Sequence, residues 1–357
     1  MYKILAINPG STSTKIAVYE DGRQLFVQSL DHDRALLTPF ETIVDQFELR
    51  RDIVLEVLKE HGVAPGDLSA VVGRGGILPP VHSGAYEVNQ AMIDQLRYKP
   101  AGQHASNLGA LIADSIAKIA GVKAYIYDSV TVDEMIPVTK VTGIPEIRRP
   151  AMAHNLNMRA SALRYAKENS LVYNKLSLVV AHLGGGSSLT LHHNGRIIDT
   201  ISDDEGPFSP ERAGGLPGLQ LIDLTVKMGC DAREMKGLLR GKSGLYAWFN
   251  TTDAREVEAM IDQGDEQAAL VYEAMALNIA KNIGKLAVVV DGKVDAIILT
   301  GGLVYSKRLS AWVKQKVEFI APVVLMPGEN EMESLAGGAL RVLKGEETAR
   351  VYVSPDM

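Results

Sequence analysis

Two similar stretches of sequence, half a chain apart, decide the fold. The first is "KILAINPGSTSTKIAVYEDGRQLFVQSL", residues 3–30, and the second is "SLVVAHLGGGSSLTLHHNGRIIDTI", residues 177–201. Each has an apolar run, a polar glycine-containing turn, a second apolar run, an Asp-Gly or Asn-Gly dipeptide and a third run. Apolar runs joined by such dipeptides predict β-hairpins. The repetition therefore predicts that each half of the chain begins with the same three-stranded unit.

The first turn of each unit is more polar than a hairpin requires. Residues 8–15 hold an amide, a glycine, hydroxyls and a lysine, and residues 184–187 are three glycines and a serine. A plain turn needs only two or three turn-forming residues. A phosphate cradle needs glycine for close approach, with N–H groups, hydroxyls and an ammonium as donors. Because both copies share this chemistry, we favour two loops that grip successive phosphates of one nucleotide across a cleft.

Length and composition set the class of protein. A chain of 357 residues is expected to form two domains. The net charge of −6 disfavours a nucleic-acid partner, which normally meets a basic surface. A single cysteine, Cys230, allows no internal disulfide and fits a reducing compartment. No apolar run is as long as a membrane span, so we expect a soluble cytoplasmic protein that does not contact membranes.

The rest of the chain alternates between helical and strand-like patterns. Strands are predicted over 122–127, ending at Asp128, and over 295–300, ending at Gly301 and Gly302. Helices are predicted over 52–61, 91–121 with an interruption at Pro100, 160–167, 219–228, 257–290, 307–319 and about 331–344. "GLLRGKSG" lacks the spacing of a P-loop, so Lys242 is assigned to a surface loop.

The motifs "NPGSTSTK" and "HLGGGSS" resemble the signature of the acetate and butyrate kinase family. Further family motifs follow in order: "YDSVTVDEMIP", "AHNLNMRA", "ERAGG", "LTGG" and "GENEMESLAGG". The resemblance implies an α/β fold of two duplicated actin/ribonuclease H-like βββαβα domains around a nucleotide cleft. We place the N-terminal acid and phosphate-side domain at 1–149 plus about 332–357, and the C-terminal nucleotide-binding domain at 150–331. The compact length and the form "NPGSTSTK" are closer to the butyrate members of the family.

The resemblance implies reversible, Mg-ATP-dependent phosphorylation of butyrate, isobutyrate or another branched acid to an acyl phosphate and ADP. A short carboxylic acid is already ionised at pH 7, so no strong base is needed. Catalysis must come from alignment and from neutralising charge on a loose transition state. An acetate or propionate kinase, differing in pocket volume, and a non-kinase actin-like ATPase remain alternatives. The family also implies a homo-oligomer, and "AMALNIAKNIGKLAVVV" would suit its interface.

The resemblance also implies residue roles. The transferring phosphate or the Mg²⁺ waters would be held by Asn8, Ser11, Ser13 and Lys15. The other nucleotide phosphates would be held by His182, Gly184, Gly185, Gly186 and Ser187. His154 and Arg212 would bind the oxygens of the phosphoryl group during transfer. The alternative is that His154 is only a half-buried histidine and Arg212 only a surface arginine. The adenine end would lie against Gly301 and Gly302, with Tyr305 as a neighbour.

The metal and the acid have their own candidates. Mg²⁺ usually takes one or two carboxylates with waters and phosphate oxygens. Asp128 and Glu331 are the candidates, with Glu329 and Glu333 as near competitors to Glu331. The alternative is that acids at a helix start only complement the helix dipole.

The acid-binding candidates lie in "VVGRGG" and before His154. Acetate kinases carry the pattern H-R-V-V-H-G-G, whereas this chain has Val71 at the arginine position and Arg74 at the histidine position. Arg74 is the candidate for the substrate carboxylate, because a guanidinium matches a carboxylate in geometry, and the alternative is a salt bridge at the edge of the loop. Gly73 and Ala153 stand where acetate kinases carry larger residues, and this predicts a longer alkyl pocket beside them. The alternative is that both residues serve only tight backbone packing.

Overall fold

The computed structural model describes residues 1–354. The chain divides into two compact units, Met1–Asp133 with the segment from Asn330 onward, and Glu134–Glu329. Residues 134–149, which we predicted in the first domain, lie in the second unit. There the Ile136 N–H donates to the Ile198 carbonyl at 3.0 Å, and Arg149 Nη1 donates to Asp199 Oδ1 at 2.9 Å. Residues 355–357 of the predicted C-terminal segment lie outside the described residues.

Each unit is built on one mixed β-sheet, and the two sheets share a strand order. The first sheet runs β12-β5-β6-β4-β1-β2-β3 and the second β11-β10-β7-β8-β9. In both sheets the first three strands of the unit are antiparallel to one another. The next strand of each sheet, β4 or β10, pairs in parallel with the first of the three, β1 or β7. The strands are β1 (Lys3–Pro9), β2 (Ser13–Glu20), β3 (Arg23–Asp31), β4 (Ala70–Arg74), β5 (Ala85–Glu87), β6 (Lys123–Tyr127), β7 (Ser177–Leu183), β8 (Ser187–His193), β9 (Arg196–Ile201), β10 (Ala296–Gly301), β11 (Val323–Pro327) and β12 (Arg350–Val351). The predicted duplication is confirmed.

Backbone conformation explains the two hairpin dipeptides. Asp21 and Gly22 have φ of 49° and 88°, and Asn194 and Gly195 have φ of 51° and 81°. Two successive residues with positive φ make the tight turn whose twist matches antiparallel strands, and Asp, Asn and Gly tolerate that conformation best. The dipeptides therefore fix where β2 and β8 reverse into the third strand of each unit.

The helices pack on the sheets, and one helix predicted from the sequence is two helices in the structure. They are α1 (Arg34–Leu37), α2 (Phe47–Glu60), α3 (Gln90–Tyr98), α4 (Asn107–Ala120), α5 (Asn155–Glu168), α6 (Gly218–Met228), α7 (Ala232–Gly241), α8 (Leu245–Phe249), α9 (Ala254–Asp262), α10 (Glu266–Ala287), α11 (Lys307–Val317) and α12 (Glu331–Leu343). The single helix predicted over 257–290 is wrong. Gly264 has φ of 90°, and the Asp265 side chain accepts the Ala268 N–H and starts α10. Gly237 and Gly241 lie within α7, and Lys242 follows it exposed.

The core of the second unit surrounds α10. Met275, Ile279 and Ile283 are fully buried against the strands and α11 within that unit. The stretch "AMALNIAKNIGKLAVVV" is therefore mostly core, and its use as an interface stays a prediction that only its exposed residues, such as Leu277 and Val288, could serve. Within residues 1–354 no helix combines the length and the apolar character that crossing a membrane requires.

Candidate active site

Three predicted residues meet in the first unit. Asn8 lies near the end of β1, Arg74 ends β4, and Glu331 begins α12. Arg74 Nη1 lies 3.3 Å from both Asn8 Oδ1 and Glu331 Oε1, and Asn8 Nδ2 donates to Glu331 Oε2. Because β1 and β4 are parallel neighbours, their carboxyl ends meet at one sheet edge. The residues predicted for phosphate, acid and metal therefore form one hydrogen-bonded cluster.

The polar loop after β1 is held by an arginine that the sequence analysis missed. Arg50 on α2 is fully buried, and its guanidinium donates to the carbonyls of Gly10, Ser13 and Ser11 at 2.7, 2.9 and 2.9 Å. Burial lowers the pKa of Arg50 to about 10, so the side chain is charged at neutral pH. With these carbonyls bound from inside, the side chains of Ser11 and Lys15 are left exposed.

A sequence signal for Arg50 existed. Arg50 shares its helix stripe with the buried residues Val54, Val57 and Leu58. An arginine at such spacing on the buried stripe of a helix must find several acceptors, since an unpaired buried charge is very costly. The nearest loop carbonyls supply them.

Asp128 follows β6 in a left-handed conformation, with φ of 41°. It is buried, and its Oδ1 accepts the Gly84 N–H at 2.7 Å. Such a φ is uncommon for residues other than glycine, although Asp tolerates it better than most. The bond to Gly84 fixes the direction of one carboxylate oxygen.

A chain of hydrogen bonds surrounds His182 at the end of β7. Its Nδ1 lies 3.0 Å from Asn157 Nδ2, which also donates to Thr300 Oγ1 at 3.1 Å. Its Nε2 lies 3.2 Å from Glu329 Oε1. Of the three acids proposed for the metal, Glu329 therefore belongs to the second unit, whereas Glu331 belongs to the first.

His154, the residue before α5, stacks on His182. The ring centroids are 3.9 Å apart and the planes differ by 9°. His154 Nδ1 lies 2.9 Å from the Ser188 hydroxyl, so the ring is tied to β8. The structure therefore brings both predicted histidines together at the glycine turn of the second unit.

The turn between β7 and β8 is lined by glycines and by Arg212. A Cβ built on Gly184 would lie 3.2 Å from His182 Nε2, and one built on Gly186 would lie 3.8 Å from Arg212 Nε. Arg212 pairs with Asp203 and Glu211, each at 3.2 Å. Among the described residues, the buried Ser187 hydroxyl meets no hydrogen-bond partner.

A cavity of about 900 Å³ lies in the second unit beside this turn. Its lining includes Gly184, Gly185, Glu329, Gly302, Tyr305, Asp253, Arg255 and Glu258. Gly301 is not part of the lining. With φ of 97° and a built Cβ only 2.3 Å from the Leu183 carbonyl oxygen, Gly301 is a close backbone contact. Asp253, to which no sequence motif assigned a role, caps α9 through the Arg255 N–H and pairs with the Arg255 side chain.

The chain is similar to known proteins over nearly its whole length. Residues 154–322 match the family model described as "Acetokinase family". Butyrate kinase 1 of Clostridium acetobutylicum is 46% identical over 354 residues, covering 99% of this chain and 100% of that protein. The probable butyrate kinase 2 of Caldanaerobacter subterraneus subsp. tengcongensis is 45% identical over 353 residues, covering 99% and 100%. The chain belongs to the acetokinase family.

A solved structure extends the comparison to the fold. Acetate kinase of Porphyromonas gingivalis superposes with a TM-score of 0.80 at 22% sequence identity, covering 96% of this chain and 100% of that one. At this identity the likeness concerns the fold alone. The solved structure thus shares the fold of this chain, with its two related units.

The donor groups of this acetokinase-family chain fit a nucleotide and a substrate-borne Mg²⁺. The unsatisfied Ser187 hydroxyl and the adjoining glycines offer donors and room for a phosphate. Within residues 1–354 no group of three or more His, Cys, Asp or Glu side chains could hold a metal by itself. Mg²⁺ carried by a nucleotide keeps waters and phosphate oxygens as ligands and takes few protein ligands.

Two residues predicted to line the alkyl pocket lie in packed interiors. A Cβ on Gly73 would lie 2.2 Å from the Gly109 carbonyl oxygen, so this glycine allows β4 to contact α4 closely. Ala153 is buried in a core cluster with Met158 and Ala162. Close packing therefore gives Gly73 an explanation of its own, and the alkyl pocket beside Gly73 and Ala153 stays a prediction.

Proposed function

We propose that this chain transfers the γ-phosphoryl group of Mg-ATP to a short-chain carboxylate, with butyrate as its acid. The observation that carries the proposal is the convergence of Asn8, Arg74 and Glu331 at the carboxyl ends of β1 and β4. The butyrate kinases that the chain matches over nearly its whole length support the choice of acid. Acetate or propionate remains the alternative acid.

The proposed mechanism needs no general base. A short carboxylic acid is ionised at neutral pH, and its oxygen attacks the γ-phosphorus as ADP leaves. Arg74 orients the acid through its guanidinium. In the first unit, Asn8, Ser11, Ser13 and Lys15 are the candidates for holding a phosphoryl group. In the second unit, His154 and Arg212 are the candidates for neutralising charge on phosphate oxygens. Mg²⁺, carried by ATP, supplies further charge neutralisation, and Asp128 and Glu331 are its proposed protein partners.

The cavity of the second unit is the proposed nucleotide site. Gly184, Gly185, Gly186, Ser187 and His182 would bind phosphates at one end. Gly302 and Tyr305 would contact the adenosine at the other, because a glycine leaves room for a flat base. Support comes from the continuity of the glycine turn with the cavity lining. Gly301 supports this surface from behind through its contact with Leu183.

A direct assay tests the proposed function. Release of ADP from Mg-ATP is measured with straight and branched acids of two to six carbons, in hydroxylamine to trap the acyl phosphate. We expect stimulation that is highest for butyrate or isobutyrate. A higher kcat/KM for acetate would assign the alternative acid. No stimulation by any short acid would contradict the proposal and favour a non-kinase ATPase.

We also propose that the chain forms a homo-oligomer through α6. Every residue of α6 is exposed or half-buried, and Leu219, Ile222 and Val226 are 77, 62 and 75% exposed. Contiguous apolar surface of this kind is typical of protein interfaces. Light scattering of Leu219→Glu/Val226→Glu should show a smaller particle than wild type. Equal masses would contradict this.

The single free cysteine also fits the reducing cytoplasm that we propose as its compartment.

A further inference from the structure

We propose that Asn157 is a positioning residue that fixes the tautomer of His182, so that Nε2 carries the ring proton and donates to a nucleotide phosphate at the Gly184–Gly186 turn. The inference rests on the proposed function for the identity of the ligand. The tautomer itself follows from contacts within the second unit alone.

The donors and acceptors in this chain of hydrogen bonds are assigned by starting from Thr300. Its hydroxyl donates to the Gly328 carbonyl, which can only accept, at 3.3 Å. Thr300 Oγ1 is therefore an acceptor toward Asn157, and the Asn157 group facing it at 3.1 Å must be the amide NH₂. The Ser161 hydroxyl donates to the Asn157 carbonyl oxygen of the backbone at 2.8 Å and secures the same turn of α5.

The same amide nitrogen of Asn157 faces His182. It lies 3.0 Å from His182 Nδ1, and an NH₂ group has no lone pair to accept with. His182 Nδ1 must therefore be unprotonated. In a neutral imidazole the proton then resides on Nε2. Asn157 and His182 are both nearly inaccessible to water, so solvent does not compete for these bonds.

The protonated nitrogen points toward the turn. His182 Nε2 lies 3.2 Å from Glu329 Oε1 and 3.2 Å from a Cβ built on Gly184. Both Gly184 and Glu329 line the cavity that we assign to the nucleotide. A bound phosphate oxygen would take the place of the Glu329 oxygen as acceptor. The opposite tautomer would present a lone pair to that anion, and repulsion would replace a hydrogen bond.

Ring-nitrogen NMR tests the tautomer without any catalysis. The full chain is labelled with ¹⁵N-histidine, and His182 is assigned by its loss in His182→Gln. We expect the wild type to show a pyridine-type resonance at Nδ1 and a pyrrole-type resonance at Nε2. In Asn157→Leu the two should shift toward a mixture. A pyrrole-type Nδ1 in the wild type would overturn the proposal, whatever the enzyme's substrate proves to be.

ATP binding tests whether Asn157 acts through His182. Asn157→Leu should weaken ATP binding by about threefold to tenfold, because only the fraction of molecules that keep the proton on Nε2 can donate to the phosphate. Asn282→Leu, at a buried asparagine on α10, is the matched control and should bind ATP normally. In a His182→Gln background, Asn157→Leu should add less than about a twofold loss. An equal loss in both backgrounds would overturn the proposal.

A second variant guards against misfolding of Asn157→Leu. Thr300→Val removes the acceptor that orients the Asn157 amide and leaves Asn157 in place. It should also mix the His182 tautomers and weaken ATP binding. An unmixed Nε2–H tautomer in folded Thr300→Val, together with wild-type ATP affinity, would overturn the proposed orientation. A failed acid assay with the expected tautomer would instead count against the proposed function alone.

Discussion

Arg74 Nη1 lies 3.3 Å from Glu331 Oε1, joining the end of β4 to the start of α12. The same nitrogen donates to Asn8 Oδ1 at 3.3 Å. The arginine assigned to the substrate acid thus already contacts a carboxylate of its own unit. A substrate carboxylate can use the same guanidinium, since an arginine offers five donors in a fork.

Replacing Arg74 should weaken binding of the acid and leave binding of the nucleotide unchanged. We expect Arg74→Lys to raise the KM for butyrate by about tenfold or more, because a point charge loses the paired hydrogen bonds. The KM for ATP should change little. Steady-state kinetics with each substrate varied measures both, and Arg23→Lys at an exposed position is the control. An unchanged butyrate KM in Arg74→Lys would remove Arg74 from the acid site.

Arg50 should matter more for the folded state than its neighbour Arg51. Arg50→Met removes a charged donor from the Gly10 and Ser11 carbonyls and from the buried Gln46 side chain, whereas the Ser13 carbonyl keeps the Gly10 N–H. Hydrogen bonds to a charged group are worth about 1.5–3 kcal/mol each. We expect a loss of several kcal/mol in the free energy of unfolding. Arg51→Met removes a surface ion pair with Asp52, typically worth about 0–1 kcal/mol. Urea denaturation compares the two, and equal losses would contradict the assigned role of Arg50.

Two adjacent glycines should respond differently to substitution. Gly302 has open space around a built Cβ and lines the cavity, so Gly302→Val should keep the fold and raise the KM for ATP. Gly301→Val should instead destabilise the protein, since its Cβ would meet the Leu183 carbonyl oxygen at 2.3 Å and its φ is 97°. Thermal melts and ATP titration separate the effects. Normal ATP affinity in Gly302→Val would move the nucleotide away from this cavity.

Gly73 should behave as a packing residue. In Gly73→Ala the new methyl would overlap the Gly109 carbonyl, and we expect a loss of about 1–3 kcal/mol in stability, as for other overpacked sites. Gly237→Ala in α7 has open space at its Cβ and should be neutral or stabilising. The butyrate-to-acetate ratio in folded Gly73→Ala should equal that of wild type. A ratio shifted toward acetate would support the alkyl-pocket hypothesis.

His192 should make stability depend on pH. Burial, aided by the charge of Arg159, lowers the pKa of His192 from 6.5 to about 3. Below pH 6.5 the unfolded chain therefore binds a proton that the folded chain does not, and stability falls as pH falls toward 3. Between pH 7 and pH 5 this amounts to about 2 kcal/mol.

The comparison variant for this prediction is His192→Gln, which keeps a hydrogen-bonding side chain beside Tyr173 and Thr190. Urea denaturation from pH 7 to pH 5 should show a shallower decline for the variant than for wild type. Parallel declines would show that His192 is not the buried neutral group responsible.

Local patterns in the sequence determined the repeated units. The Asp21-Gly22 and Asn194-Gly195 turns, the alternating strands and the polar loops need only neighbouring residues, so they could be predicted. The helix break at Gly264 is also a local signal. The apolar spacing continues across it, however, and therefore predicted one helix where the structure has α9 and α10. The candidate site residues could be named from the family motifs, because those motifs and their order can be recognised in the sequence alone.

Tertiary structure alone decided which of these residues meet and why some are small. The sequence carries no sign that Arg74 contacts Glu331 or that Asn157 contacts His182, because those pairs join elements far apart in the chain. Burial likewise depends on the neighbours supplied by the fold. The apolar surface of α10 is covered within its own unit, whereas that of α6 is left exposed, although both are apolar helices in the sequence. Gly73 is a glycine because another backbone occupies the space of its side chain.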